Sequence, residues 1–342
     1  MGILNFFGDV FLPGPVPAAV PLRGEYIVNL EAPLTRVSRP LPGKINLKIE
    51  GLHFRATFGR NPIAVCLANN HIMDHGAKGL QDTVEALAGA GIACFGAGRL
   101  ADNCRNPLLL ASGGARVALL GYACLTTHPV LAAGDEPGAA GLDPERISAD
   151  MRQAREKGAD KVIVQLHWGE EDVGLPRPAD VDIAHRIVDE GADLVIGHHA
   201  HCIQSIEVYR GRTIFYGLGN AIFPDTEMES YAPDGRRLAN RQMPWQERNR
   251  RSLAVEYDSD SGAVVVRRLR FKDSLAVVPG ALPRRGFAFS KGAAARYRLK
   301  YAWVLRLAML RRLGASFLSR PRLPRKENLR WLADRFRMDK KG

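Results

Sequence analysis

The chain has 342 residues and a mass of 37.5 kDa, with 46% hydrophobic and 25% charged residues and a mean hydropathy of -0.15. These values exclude disorder, collagen-like repeats and a polytopic membrane protein, and the length allows one large domain or two. The net charge of +12 is unevenly spread: Arg284 to Gly342 hold 18 Lys and Arg against Glu327, Asp334 and Asp339, a net of +15, which leaves -3 for the first 283 residues.

In chain order, Ile3 to Phe7 is an apolar run that stops at Gly8-Asp9, and Tyr26 to Leu30 is a second that stops at Glu31. Each predicts a strand with a carboxylate at its carboxyl end. Ile63 to Ala68 is a third, ending at Asn69-Asn70-His71, and Leu80, Val84, Leu87 and Gly91 follow at helical spacing, with Asp74 placed to cap that helix. Leu108 to Leu110 and Arg116 to Leu120 flank Ser112-Gly113-Gly114 as a hairpin, and Pro144 suits the first turn of a helix running to Lys157.

Val162 to Leu166 predicts a fourth strand, ending at His167-Trp168-Gly169. After a helix that closes over Ala184 to Glu190, Leu194 to Ile196 predicts a fifth, ending at Gly197-His198-His199-Ala200-His201. Hairpins are expected over Ile203 to Tyr216 and over Leu253 to Phe271, with Pro224 to Arg251 an irregular surface loop or insertion between them. The mixture of crossover helices and hairpins predicts α/β architecture with a mixed sheet or a pair of sheets flanked by helices. Two regions are expected: a domain over residues 1–283 and a basic, partly helical tail over residues 284–342, where Tyr297, Tyr301, Val304, Leu305 and Ala308 form an apolar stripe.

No run of about 18 uninterrupted apolar residues exists, and Met1 to Asp9 reaches an acidic residue too early for a secretory leader, so a cytoplasmic location is expected. The five cysteines are an odd number, widely spaced and without a C-x-x-C pair. They read as reduced thiols rather than a disulfide framework or a zinc knuckle.

Five predicted strand ends therefore carry Asp9, Glu31, Asn70-His71, His167 and the His199-x-His201 pair, and in open α/β sheets sites assemble at that edge. Carboxylate, amide oxygen and imidazole without thiolate suit Mn, Fe or Zn better than Ca or Mg, which prefer shells of oxygen. Three histidines among the four residues 198 to 201 are hard to place in a core. His53, His75, His128 and His185 lack that context and read as structural or exposed.

Taken in order, Gly8-Asp9-Val10, Asn29-Leu30-Glu31-Ala32-Pro33, Ala68-Asn69-Asn70-His71 with Asp74 and Gly76, Gly96-Ala97-Gly98, His167-Trp168-Gly169-Glu170-Glu171, Gly197-His198-His199-Ala200-His201 and Gly219-Asn220 resemble the CapA family of bacterial capsule or poly-γ-glutamate synthesis proteins. The resemblance spans about residues 3 to 223. It implies a relative of the calcineurin-type metallophosphoesterases: a four-layer αββα sandwich of two sheets flanked by helices, with a metal site at the sheet edge. It makes Asp9, Glu31, Asn70, His167, His199 and His201 the ligand positions for one or two divalent transition-metal ions, and His71 the candidate general acid. Glu171 matches a family position beside that site, where it is expected to assist the chemistry. Phe11 departs from the phosphoesterase pattern, which has a His two residues after the first Asp; this implies a single ion, or a site completed by His198.

The implied function is a metal-dependent hydrolase of phosphoester or amide bonds in extracellular polymer synthesis, acting on an anionic polymer or a phosphoester. The alternative is a non-catalytic assembly or export factor of a polymer-synthesising complex. The basic tail is expected to contact an anionic inner-membrane surface or a synthase complex. Nucleic acid ranks last as a partner, because the tail offers charge and no motif.

Overall fold

The computed structural model describes residues 2–101, 104–238, 241–242, 245–282 and 291–319. Nearly continuous apolar runs make strands that are covered on both faces. Lys161–His167 and Leu194–His198 are of this kind, and they pair in parallel with each other and with Ala115–Ala123 and Arg212–Phe215. Leu108–Ser112 and Ile206–Tyr209 close the edges antiparallel, completing a six-stranded sheet.

A second sheet of nine strands is centred on Ile3–Val10, with Glu25–Leu30 parallel on one side and Arg251–Asp258 antiparallel on the other. Ala64–Cys66 and Ala93–Phe95 continue one flank; Val264–Phe271, Leu275–Val277 and Ala18–Ala19 continue the other. Asn220–Ile222 pairs in parallel with the end of the central strand, which sets Asn220 opposite Asp9.

The sheets face each other through Leu4, Phe6 and Ile27 on one side and Leu119, Ile163 and Ile196 on the other. Helices α1 (Phe54–Phe58) and α2 (Gly76–Gly89) cover the outer face of the larger sheet, with Phe54, Leu80 and Leu87 against Tyr26, Val28 and Val65. Helices α3 (Pro144–Glu156) and α4 (Pro178–Asp189) cover the smaller sheet, with Ile147, Met151 and Ile187 against Leu120, Val164 and Val195. The result is the expected four-layer αββα sandwich. Helix α3 starts as its sequence dictates: Asp143 accepts from the Glu145 and Arg146 amides, and Pro144 stands in the first turn.

Two expectations are corrected. Asp74 does not cap α2, whose N-cap is His75 without a side-chain hydrogen bond; its carboxylate instead accepts from the Leu47 amide and faces His71. Pro224 to Arg251 is not simply an irregular surface loop. Glu227–Ser230 pairs with Ile45–Asn46 and with Arg241–Gln242, and Trp245 packs against the outer core of the larger sheet. The periodicity missed these because such short strands form only when distant partners supply their edges.

None of the five cysteines is in a disulfide. The chain divides into two compact units, Met1–Ala294 and Ala295–Gly342. Helix α5 (Lys291–Ser319) is the described part of the basic segment, and residues 284–290 and 320–342 lie outside the described residues. No helix among the described residues is long and apolar enough to cross a membrane.

Candidate metal centre

Parallel strands joined by crossovers present their carboxyl ends on one side of a sheet, and both sheets do so at the same edge. Asp9 is the penultimate residue of its strand, Glu31 follows Leu30 directly, and His167 and His198 are the last residues of theirs. Asn69 shapes the turn after Ala64–Cys66: its Oδ1 accepts from the His71 and Ile72 amides at 3.1 and 2.9 Å, and its Nδ2 donates to the Leu30 carbonyl at 2.8 Å. That turn delivers Asn70 and His71 to the edge. Gly197 lets the last strand pass close beneath, since a Cβ there would stand 1.9 Å from the Tyr216 carbonyl oxygen.

Three overlapping sets of donor atoms lie within 4.8 Å of one another: Glu31, His167 and His199; Glu171, His199 and His201; Asp9, Glu31 and His201. Asn70 joins them through Oδ1, 2.8 Å from His167 Nε2. All six predicted ligand positions and Glu171 thus come together. His71 stands beside them, its Nδ1 2.7 Å from Asp74 Oδ2, and Lys44 forms an ion pair with the same carboxylate at 2.5 Å. His53, His75, His128 and His185 stay out of all three sets.

Asp9 is held from several directions. Asn29 Nδ2 donates to Oδ1 at 2.8 Å, His198 Nδ1 lies 3.1 Å from the same oxygen, and the His199 amide donates to Oδ2 at 3.0 Å. The second ring nitrogen of His198 is 3.0 Å from Gln165 Oε1, so both nitrogens are engaged and His198 braces Asp9 instead of offering a lone pair. His201 differs: its Nδ1 donates to Asn220 Oδ1 at 2.8 Å, which leaves Nε2 free to accept, 3.7 Å from Glu31 Oε1. His199 and His201 have φ of 82° and 51°, left-handed values costly for residues with a Cβ. The loop is tied down by the Asn249 side chain on the His201 carbonyl at 3.0 Å and by the Asp172 amide on the Ala200 carbonyl at 2.9 Å.

Burial sets the electrostatics. It opposes ionisation of Asp9, but the hydrogen bond and charge of His198, with His201 and Asn29, outweigh it and hold the carboxyl below its usual range. Glu31 has no such help: burial, then the negative Asp9, Glu171 and Asp74, push it well above. Burial lowers His167 far below the ordinary imidazole value, with the other site histidines adding to the effect, and brings His199 down to about 3 despite the opposing charge of Glu171. His71 is also lowered by burial, against the pull of Asp74.

The residues fit a divalent cation on one observation above others. Both oxygens of fully buried Glu31 and the Nδ1 of buried His199 have no hydrogen-bond partner. An uncompensated buried carboxylate costs several kcal/mol, a cost that a cation between these donors removes. At the position of the expected extra ligand, Phe11 packs on Phe223 at 5.2 Å between ring centroids. Phe223 and Trp245 in turn line the ring of His201 at 5.3 and 5.2 Å.

Sequence reasoning missed the supporting shell: Lys44, Gln165, Trp245 and Asn249 lie in stretches with no motif. Asn29 and Asn220 were within quoted motifs, and their polar side chains beside apolar runs were the available signal.

A family model described as "Bacterial capsule synthesis protein PGA_cap" matches residues 23–225, which takes in every candidate ligand except Asp9. The "Capsule biosynthesis protein CapA" of Bacillus anthracis is 39% identical over 160 residues, covering 46% of this chain and 39% of that one. The "PGA biosynthesis protein CapA" of Bacillus subtilis is 38% identical over 157 residues, covering 46% and 41%. A "Probable polyglutamine synthesis accessory protein" of Mycobacterium tuberculosis is 40% identical over 171 residues, covering 47% and 45%. The chain thus spans less than half the length of these relatives. Among solved structures, a 5'-nucleotidase precursor from Thermus thermophilus aligns with a TM-score of 0.40 at 17% identity, over 90% of this chain and 59% of that one.

Proposed function

Because the chain belongs to the bacterial capsule synthesis protein PGA_cap family, we propose that it serves the synthesis or remodelling of an extracellular polymer as a metal-dependent hydrolase of a phosphoester or amide bond. The observation that carries this reading is Glu31, a fully buried carboxylate without a hydrogen bond, set 3.5 Å from His167 Nε2 and 3.7 Å from His201 Nε2. In this proposal Asp9, Glu31, Asn70, His167, His199 and His201 hold one or two ions of Mn, Fe or Zn. Such a cation supplies Lewis-acid polarisation of a phosphoryl or acyl oxygen.

The chain's own residues do the rest. Asp9 is kept ionised by His198 and fixed by the Asn29 side chain and the His199 amide. His71 donates a hydrogen bond from Nδ1 to Asp74 Oδ2, so Nε2 is the atom that takes up and returns a proton, and the buried Asp74 fixes the ring for that exchange. Phe223 and Trp245 shield His201 from water on one side. Glu171, grouped with His199 and His201, reaches the rim of the site and assists there. The substrate in this reading is an anionic polymer or a phosphoester.

Phe11 favours the second reading, a non-catalytic assembly or export factor, because an apolar ring stands where phosphoesterases carry a ligand. Metal analysis of the purified chain and of a His199→Ala, His201→Ala double variant separates the possibilities, together with assays on generic phosphoesters and γ-glutamyl polymers. The expected result is metal in the parent chain, none in the folded variant, and turnover of one substrate class. Metal without turnover of either class selects the second reading, and equal metal content in the two proteins rejects the site.

A further inference from the structure

Helix α5 carries a second feature, independent of the metal centre. Across Lys291–Ser319 the sequence holds seven Lys and Arg and no Asp or Glu. Within it Leu299, Trp303 and Leu310 are 73%, 62% and 62% exposed, among the most exposed large apolar side chains of the described residues. At 3.6 residues per turn these three fall within an arc of about 40°. They form one apolar line along the helix.

From this placement we infer that α5 is a docking element for an anionic lipid surface, lying in the plane of the interface with Leu299, Trp303 and Leu310 inserted among the headgroups. An apolar line flanked by cations is the pattern that binds such interfaces: area buried in the acyl boundary adds to attraction by acidic lipids. Arg306 lies about 20° outside that arc, at the border of the apolar line. The charge decides against the other occupants. A second copy of the helix would bring seven cations against seven with no acidic partner to relieve them. Nucleic acid would satisfy the cations and leave Trp303 and its two neighbours exposed to water.

The exposed line is not the apolar stripe read from sequence: of Tyr297, Tyr301, Val304, Leu305 and Ala308 none belongs to it. Tyr301 and Leu305 are buried.

The test uses the full chain and two kinds of variant at exposed positions. One is Leu299→Glu with Trp303→Glu; the other is Arg298→Gln with Lys300→Gln. Partition onto phosphatidylcholine vesicles with and without 30 mol% phosphatidylserine is measured by co-sedimentation from 50 to 500 mM salt, with circular-dichroism melts to confirm that the variants fold. The parent chain is expected to bind acidic vesicles, to ignore neutral ones and to release at high salt. The charge variant should bind about thirtyfold more weakly and the apolar variant at least tenfold more weakly. Partition that does not depend on lipid charge, or apolar variants that bind like the parent, overturns the inference. So does self-association of the parent that the Glu variants abolish, or tighter binding to duplex DNA than to acidic vesicles.

Discussion

At Glu31 the demands of stability and of ligation pull in opposite directions. Its carboxyl is pushed well above the usual range by burial and by neighbouring acids, so the metal-free folded chain holds that proton more tightly than the unfolded chain does. Stability from this group therefore falls as pH rises from the unfolded value of about 4.3 through the raised one. We expect Glu31→Gln to melt a few degrees higher than the parent at pH 8 in the presence of a chelator, and to lose the gain that metal gives the parent; scanning calorimetry with and without Mn or Zn checks both. His199 has the other sign. Held at about 3 in the fold against an unfolded value near 6.5, it binds its proton more readily when unfolded, so stability builds as pH rises from about 3 to 6.5. His167 is lowered in the same direction. Melts of the metal-free chain should drop steadily from pH 6.5 to 4, and His199→Gln should flatten part of that slope. His71 calls for a different measurement: His71→Asn should keep its metal and lower turnover by about a hundredfold, whereas loss of metal would make the imidazole a ligand.

The elements show why part of this site was legible in sequence and part was not. Asp9, Glu31, Asn70, His167 and the His199-x-His201 pair each follow an apolar run, so the rule that strand ends converge at one edge was enough to group them. Nothing local marks Asn249 as the side chain that holds the His201 carbonyl at 3.0 Å and Asp172 at 2.6 Å, because its partners lie 48 and 77 residues away. The same distance effect hid the pairing of Glu229 with Asn46 and turned Pro224 to Arg251 into an apparent loop. If Asn249 is what keeps His201 at its left-handed φ, then Asn249→Ala should cost about 1–3 kcal/mol of stability and weaken metal binding about tenfold, read by chemical denaturation and by calorimetric titration. Unchanged metal affinity would assign the strain at His201 to the Asp172 and Ala200 contact instead.

On the scale of the whole molecule, the donors are divided between the sheets. Asp9, Glu31 and Asn70 come from the larger one and His167, His199 and His201 from the smaller, and the two meet elsewhere through apolar contacts. A cation that binds only this juxtaposition stabilises the fold by about 4 kcal/mol at a thousandfold excess over its dissociation constant. The division also orders events in time. Asp9 accepts from the amide of a residue 190 positions later in the chain. At a synthesis rate of about 5–20 residues per second, the carboxylates leave the ribosome roughly 10 to 40 s before the imidazoles that complete the set. For that interval only the oxygen donors of the set, Asp9, Glu31 and Asn70, have been made, and an all-oxygen group suits hard cations better than Mn, Fe or Zn. The imidazoles arrive close together, at the ends of two adjacent strands, while the strands between Ile206 and Val277 that complete both sheets are still to be made. If the edge holds an ion as proposed, the full donor set cannot form before His201 has been made, so the geometry of the folded edge rather than the order of encounter selects which ion stays.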